Sequence, residues 1–310
     1  MSLSFKITLA VATSILIFTA IGVAKINQRE VSPQAPIEPS KPNTVQLPDL
    51  NTIEALTAHF KQIEYNWPIA SLKEMPDTLL TAVPNNLAQA ASVTIKKQLF
   101  IQILLPIIVA EQAVMLEKRK RVVNLIQQSG NSLSSTSNPW FAGLIKEYRI
   151  NRNLDSSAQI EELLKRIDTL PVELIITQAA IESGWGTSRF AVEGNSLFGE
   201  WTFGENAGLT PNNRQSGKTH QVKKFDSLQH SIRSYVKNIN RNNAYKELRE
   251  ARYEMRKQGR VLDARKLANY LHRYSQKGMA YVDSLQLIMN TKELKTVRKL
   301  NFDHSGSPSS

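Results

Sequence analysis

Two glycines set two residues apart, Gly184 and Gly186, stop a helix at a fixed point in this chain, and the last turn before them holds a lone carboxylate, Glu182. Within Gln178-Ala-Ala-Ile-Glu-Ser-Gly-Trp-Gly-Thr-Ser-Arg-Phe190, helical spacing puts Glu182 on the same face as Ile175, Gln178 and Ala179. That is the apolar side of the helix. The negative end of the helix dipole and apolar surroundings both disfavour an ionised carboxylate, so the expected pKa is raised, as suits a general acid. Gly184 takes the left-handed conformation that closes the helix, Gly186 turns the backbone away to leave a cleft, and Trp185 walls the acid. The bland alternative for an arbitrary helix-terminal Glu is a solvated residue at a frayed end.

The whole string, followed by Gly194-Asn-Ser-Leu-Phe-Gly199, resembles the glucosaminidase domain of glycoside hydrolase family seventy-three, bacterial enzymes that cut peptidoglycan. The resemblance runs from Leu170 to Leu294 and is strongest in Ala179 to Phe198. It implies a mainly α (α+β), lysozyme-like helical domain with a small β-hairpin lobe, and cleavage of the glycan strand after N-acetylglucosamine. Position by position, it makes Glu182 the general acid and Asn195 and Phe198 cleft residues. Tyr274, in Arg273-Tyr-Ser-Gln276, becomes a late aromatic facing the same cleft.

Most glycosidases use a second carboxylate. Related sequences often carry one in the hairpin lobe, yet Asn206 to Phe225 contains neither Asp nor Glu, and Glu200 and Glu205 are the nearest substitutes. Trp201 and Phe203 alternate with Glu200 and Thr202 in a short strand, so Glu200 either reaches the cleft or faces solvent. Without a second acid, the substrate's own acetamido group serves as nucleophile, or the enzyme is a lytic transglycosylase built around one Glu. A non-catalytic wall-binding protein is the rival from another class. Trp185 and Trp201 either stack on sugar rings or simply pack, and Tyr281, seven residues past Tyr274, reads as core.

The rest of the chain fits an exported wall protein. Ile7 to Ala24 is an uncharged apolar run between Lys6 and Lys25, a signal anchor in the inner membrane or a cleavable signal peptide over residues 1–26. Five prolines follow in the spacer, residues 27–50. A helical module over 51–138 contains Pro106, which is expected to kink or split its second helix, and the solvated charged run Glu117-Lys-Arg-Lys-Arg121. The catalytic domain spans 139–298, with Pro171 opening the helix of Glu182, a hairpin whose arms flank a long loop over Gly204 to Gly217, and three helices between Ala244 and Leu294. A patternless tail, 299–310, ends the chain.

Composition removes several classes. With 310 residues, 41% of them hydrophobic, the chain sustains a sizeable core. It has no cysteine and only scattered histidines, so neither metal nor cofactor is expected. A net charge of +12 attracts a polyanion. Nucleic acid, anionic lipid and a cell wall all fit that charge; no nucleic-acid-binding motif is present, and the resemblance implies peptidoglycan glycan strands as the partner, with the export element pointing to the periplasm.

Overall fold

The computed structural model describes residues 50–129, 133–203, 208–212, 220–300 and 302. The N-terminal apolar run, the proline-rich spacer apart from Leu50, Glu205, most of the loop after Gly204 and the tail beyond Phe302 lie outside the described residues. The helices are α1 (Ile53–Gln62), α2 (Val93–Ser129), α3 (Pro139–Glu147), α4 (Ser156–Arg166), α5 (Val172–Ser183), α6 (Arg189–Gly194), α7 (Leu228–Arg241), α8 (Lys246–Lys257), α9 (Ala264–Ala268), α10 (Met279–Met289) and α11 (Lys292–Lys299). Three short strands, β1 (Trp201–Thr202), β2 (Gly208–Leu209) and β3 (Gln221–Lys223), form the sheet lobe.

Pro106 does not split α2, which runs unbroken for 37 residues. A proline has no N–H for the carbonyl four residues earlier, here that of Gln102. The hydroxyl of Tyr65 donates to that carbonyl at 3.2 Å, and Gln102 Nε2 donates back to the Tyr65 carbonyl at 2.9 Å. A long-range partner thus satisfies the group that proline leaves open. Among the described helices, α2 alone is long and apolar enough to cross a membrane by length and composition, but its apolar stretch Leu99 to Ile108 is buried inside the protein. It is the central helix of the core.

One hydrophobic cluster runs from Leu56 and Phe60 of α1 through Phe100 and Leu104 of α2 to Ile175 and Ile176 of α5, Tyr235 of α7 and Leu285 of α10. Residues before 139 therefore share a core with the helix of Glu182. The far end of α2 contributes Val122 to a second cluster with Phe141 and Ile145 of α3 and Leu163 of α4. The charged run in α2 is not simply a solvated face. Arg119 donates to the carbonyls of Leu164 and Ile167 at 2.6 and 2.7 Å, Lys118 pairs with Glu147 at 2.9 Å, and Arg121 lies over the Trp140 ring at 4.3 Å. Arginine and lysine stems cover apolar surface while their heads find fixed acceptors.

The sheet lobe has three antiparallel strands in the order β1-β3-β2, one more than the expected hairpin. The extra strand comes from the loop between the arms. Gly208 makes its pairing possible, since a Cβ there would lie 2.3 Å from the carbonyl oxygen of Val222. Toward the C-terminus there are four helices where three are expected. Gly259 and Gly278, both at positive φ, mark two of the breaks, while Asn290 and Thr291 separate α10 from α11 with neither glycine nor proline to signal it.

Candidate active site

α5 ends as its glycines require. Gly184, Trp185 and Gly186 take φ of 60°, 60° and 78°, three consecutive left-handed residues that turn the chain off the helix axis. Ser183 ties the turn down, its hydroxyl donating to the Ala179 carbonyl at 2.5 Å and accepting from the Gly186 N–H at 2.8 Å. From the other side α2 presses against the turn. A Cβ on Gly186 would meet Phe100 at 2.8 Å, and the Trp185 ring sits edge-on to Phe100 with Lys97 over its face at 5.1 Å. Trp185 is thus a half-buried wall packed on α2.

Glu182, half-buried in the last turn of α5, has its pKa raised: burial pushes it up, and a hydrogen bond from the Tyr281 hydroxyl and the charge of Lys277 pull it only part of the way back. Behind it runs an ordered chain of donors. The Tyr235 hydroxyl donates to Gln178 Oε1, and Gln178 Nε2 donates to the Tyr281 oxygen at 3.0 Å, which leaves the Tyr281 proton for Glu182. An amide has one donating and one accepting end, so Gln178 fixes the direction of the whole chain. Tyr235, Tyr245, Tyr274 and Tyr281 all feel the Glu182 charge, and burial first, then that charge among others, raises every one of their pKa values, Tyr245 to about 12. They stay neutral and act as donors and walls.

Glu200 is the second acid at this end of the molecule. It precedes β1, and its Oε2 accepts from Ser234 of α7 at 2.7 Å, while Oε1 is buried with no hydrogen-bond partner. Burial raises its pKa too, against the hydrogen bond from Ser234 and the charge of Lys223. The Tyr245 phenol lies within electrostatic reach of both Glu182 and Glu200. Tyr245 is thus the phenol that senses both acids.

The other expected contact residues divide. Trp201 is 63% exposed with its ring stacked on His220 at 4.3 Å, and neighbouring Phe203 is 74% exposed. One face of Trp201 is therefore taken by His220, and the rest of its ring and Phe203 are exposed on the lobe. Tyr274 stacks on Tyr281 at 5.4 Å and donates its hydroxyl to the Phe198 carbonyl at 3.2 Å. The ring of Phe198 is only 4% exposed and stacks on Tyr235 at 4.0 Å, so it packs behind the acid, and its carbonyl is what meets Tyr274. Asn195 at φ 52° caps α6, and its Nδ2 donates to the Phe225 carbonyl at 3.1 Å, holding the lobe to the helical body. Tyr281, Gln178, Tyr235, Tyr245 and Ser234 are the site residues that sequence reasoning missed. The available signal was Gln178 itself, a polar residue four before Glu182 on an otherwise apolar face. Among the described residues, no cluster of His, Asp and Glu could hold a metal ion.

Residues 157–294 match the Glucosaminidase family, described as mannosyl-glycoprotein endo-beta-N-acetylglucosaminidase. The chain is also 28% identical over 219 residues to Protein bax of Escherichia coli (strain K12), which covers 70% of this chain and 74% of that protein. No solved structure gives a significant match. The matched region begins in α4 and includes both carboxylates, the sheet lobe and all four tyrosines.

Proposed function

Given a Bax-like chain with a glucosaminidase domain over residues 157–294, we propose that it is an endo-β-N-acetylglucosaminidase that hydrolyses the peptidoglycan glycan strand, with Glu182 as general acid. The family supports the coarser part of this reading, a peptidoglycan-related glycoside hydrolase. The observation that carries the finer part is the state of Glu182: a half-buried carboxylate with a raised pKa, open on one side and backed by the Tyr235–Gln178–Tyr281 donor chain.

Protonated Glu182 delivers its proton to the glycosidic oxygen as the bond to the departing sugar breaks. The resulting carboxylate is then held by the Tyr281 hydroxyl and Lys277, which limits the cost of leaving a charge in partly apolar surroundings. Glu200 is the second carboxylate of this reading, whose ionised form activates water or stabilises the oxocarbenium-like centre. Ser234 fixes its orientation. Trp201 offers a sugar-sized aromatic face on the lobe, and Trp185 closes the wall beside the acid. A domain that cuts the wall acts outside the cytoplasm, and the apolar run Ile7 to Ala24 supplies the export signal or anchor this placement requires.

The test is digestion of purified peptidoglycan by wild type and by Glu182→Gln, with mass spectrometry of the fragments. Reducing-end N-acetylglucosamine from wild type, with a rate about 10³-fold lower in the variant, is the expected outcome. Anhydromuramyl ends would instead mark a lytic transglycosylase. A folded wild type that pellets with the wall and releases nothing would leave a binding protein.

A further inference from the structure

A second feature shares Glu200 and Ser234 with the chemistry above and extends beyond them along α7. A cavity of about 180 Å³ is lined by Arg149, Glu200, Ser234, Lys237, Asn238, Arg241 and Asn242. Ser234, Lys237, Asn238 and Arg241 follow one another at helical spacing, so they line one face of α7. Ser234 anchors Glu200 at one end. The rise of an α-helix puts Arg241 roughly 10 Å further along. There Arg149 arrives from the end of α3, held at φ 54°, a conformation that residues other than glycine seldom adopt. Three cations thus converge on a small cavity at the far end from its single carboxylate.

Their partners do not account for them. Among the described residues, neither Arg149 nor Arg241 is paired with a carboxylate within 4.0 Å, and Lys237 has only Glu147 at 3.6 Å, with both side chains substantially exposed. Arg241 Nε is buried with no hydrogen-bond partner. Arg249 Nη2 and Arg252 Nε are also buried without a partner, but those guanidinium groups donate to backbone carbonyls through their other nitrogens, as Arg166 does, and Arg298 grips Glu173. Cations that face one cavity without a close carboxylate favour an anionic ligand there.

We propose that this groove is a carboxylate-binding subsite, and that its ligands are the acidic peptide stems borne by the glycan strand on the Glu200 side of the cleavage point. The proposal rests on the hydrolase reading for the identity of the strand. Its geometry is independent of that reading. Guanidinium groups present the paired donors that a carboxylate accepts, and the Asn238 and Asn242 amides add neutral polar groups beside them. A neutral sugar chain gives these cations nothing to neutralise, whereas a stem carboxylate seated between Arg149 and Arg241 does.

The experiment measures binding of full-length Glu182→Gln protein to soluble peptidoglycan strands and to the same strands after carbodiimide amidation of their carboxylates. The expected result is about tenfold tighter binding to the native strands, equivalent to about 1.4 kcal/mol. In the double variant Arg149→Ala, Lys237→Ala that gap closes while affinity for amidated strands holds, and Arg149→Lys in place of Arg149→Ala restores part of it. Both substituted side chains are exposed or half-buried, and a thermal melt confirms that each variant is folded. A gap that persists in the double variant, or a parent that binds both strands equally, overturns the subsite. A parent that shows the gap while folded wild type, with Glu182 intact, cuts nothing keeps the subsite and removes the hydrolase reading. Failure to bind either strand overturns both.

Discussion

Two acids stand at the ends of α5, a buried one just before it and a half-buried one in its last turn, and their fates are opposite. Asp168, just before the helix, is 1% exposed, yet its pKa is lowered: burial pushes it up, and Arg252, Arg119 and Arg256 together more than reverse that. Arg256 holds it with both Nε at 3.1 Å and Nη2 at 2.8 Å. Glu182, in the last turn, is less deeply buried, and its pKa is raised. The difference lies in the company each keeps. Guanidinium groups stay charged and compensate a carboxylate outright, while phenols and an amide offer hydrogen bonds without a countercharge. Lys277 contributes a single weaker charge. Depth alone therefore does not set the direction of the shift; the charge of the neighbours does.

The largest effect separating the two should come from Asp168→Ala. Removing the carboxylate leaves Arg252 and Arg256 without their anionic partner in the interior, and breaking a buried ion pair from one side typically costs about 4 kcal/mol. The pH dependence gives a second handle. Because the folded-state pKa lies below the ordinary value of 3.8, the stability Asp168 contributes is fully present above that value and lost as pH falls through the folded one. Urea denaturation from pH 7 down to pH 2 should show this acid-side loss in wild type and less of it in the variant. A loss under about 1 kcal/mol at pH 7 would show that the arginines find other acceptors, and the contrast with Glu182 would collapse.

Glu182→Gln should move stability the other way. Its folded-state pKa lies above the ordinary 4.5, so the proton is bound more tightly in the folded protein than in the unfolded chain. That favourable term is complete below 4.5 and disappears as pH rises through the folded value, leaving an ionised, partly buried carboxylate at neutral pH. A neutral amide of the same shape is expected to gain about 1 kcal/mol at pH 7 and nothing in acid. Equal stability of the two proteins at pH 7 would mean that Tyr281 and Lys277 already compensate the charge in full, making Glu182 a second Asp168.

What could be read ahead of the structure follows the range of the interactions. The stop of α5, the apolar face that carries Glu182 and the left-handed glycines are local, set by helical period and by the missing Cβ, so residues 175–186 announce them. The donor chain is not local. Gln178 bonds Tyr235 across 57 residues and Tyr281 across 103, and no pattern within either segment ties them together. The same holds for α2, where the expected effect of Pro106 is offset by Tyr65, 37 residues from Gln102. Carrying roles over by position had a different weakness. It names Phe198 but does not say whether ring or carbonyl does the work, and the structure assigns the ring to packing and the carbonyl to Tyr274.

The smallest and most discriminating effect concerns Tyr281. In Tyr281→Phe the ring can keep its stack on Tyr274, but Glu182 loses the hydroxyl that favours its ionised form. Its pKa must then rise further. A general acid works only while protonated, so the alkaline limb of the kcat/KM profile should move to higher pH, with no more than about a tenfold fall on the plateau. Stability should drop by about 1 kcal/mol, because Gln178 Nε2 loses its buried acceptor. Tyr274→Phe is the matched control. Its hydroxyl serves the Phe198 carbonyl rather than Glu182, so it should cost comparable stability and leave the limb where it is. If both variants shift the limb equally, the aromatic cluster acts on Glu182 through packing and burial, and the directed donor chain from Tyr235 has no separate part in setting the acid. If only Tyr281→Phe shifts it, the contrast with Asp168 sharpens: three fixed charges hold one acid ionised, and one phenolic proton sets the pH at which the other gives up its own.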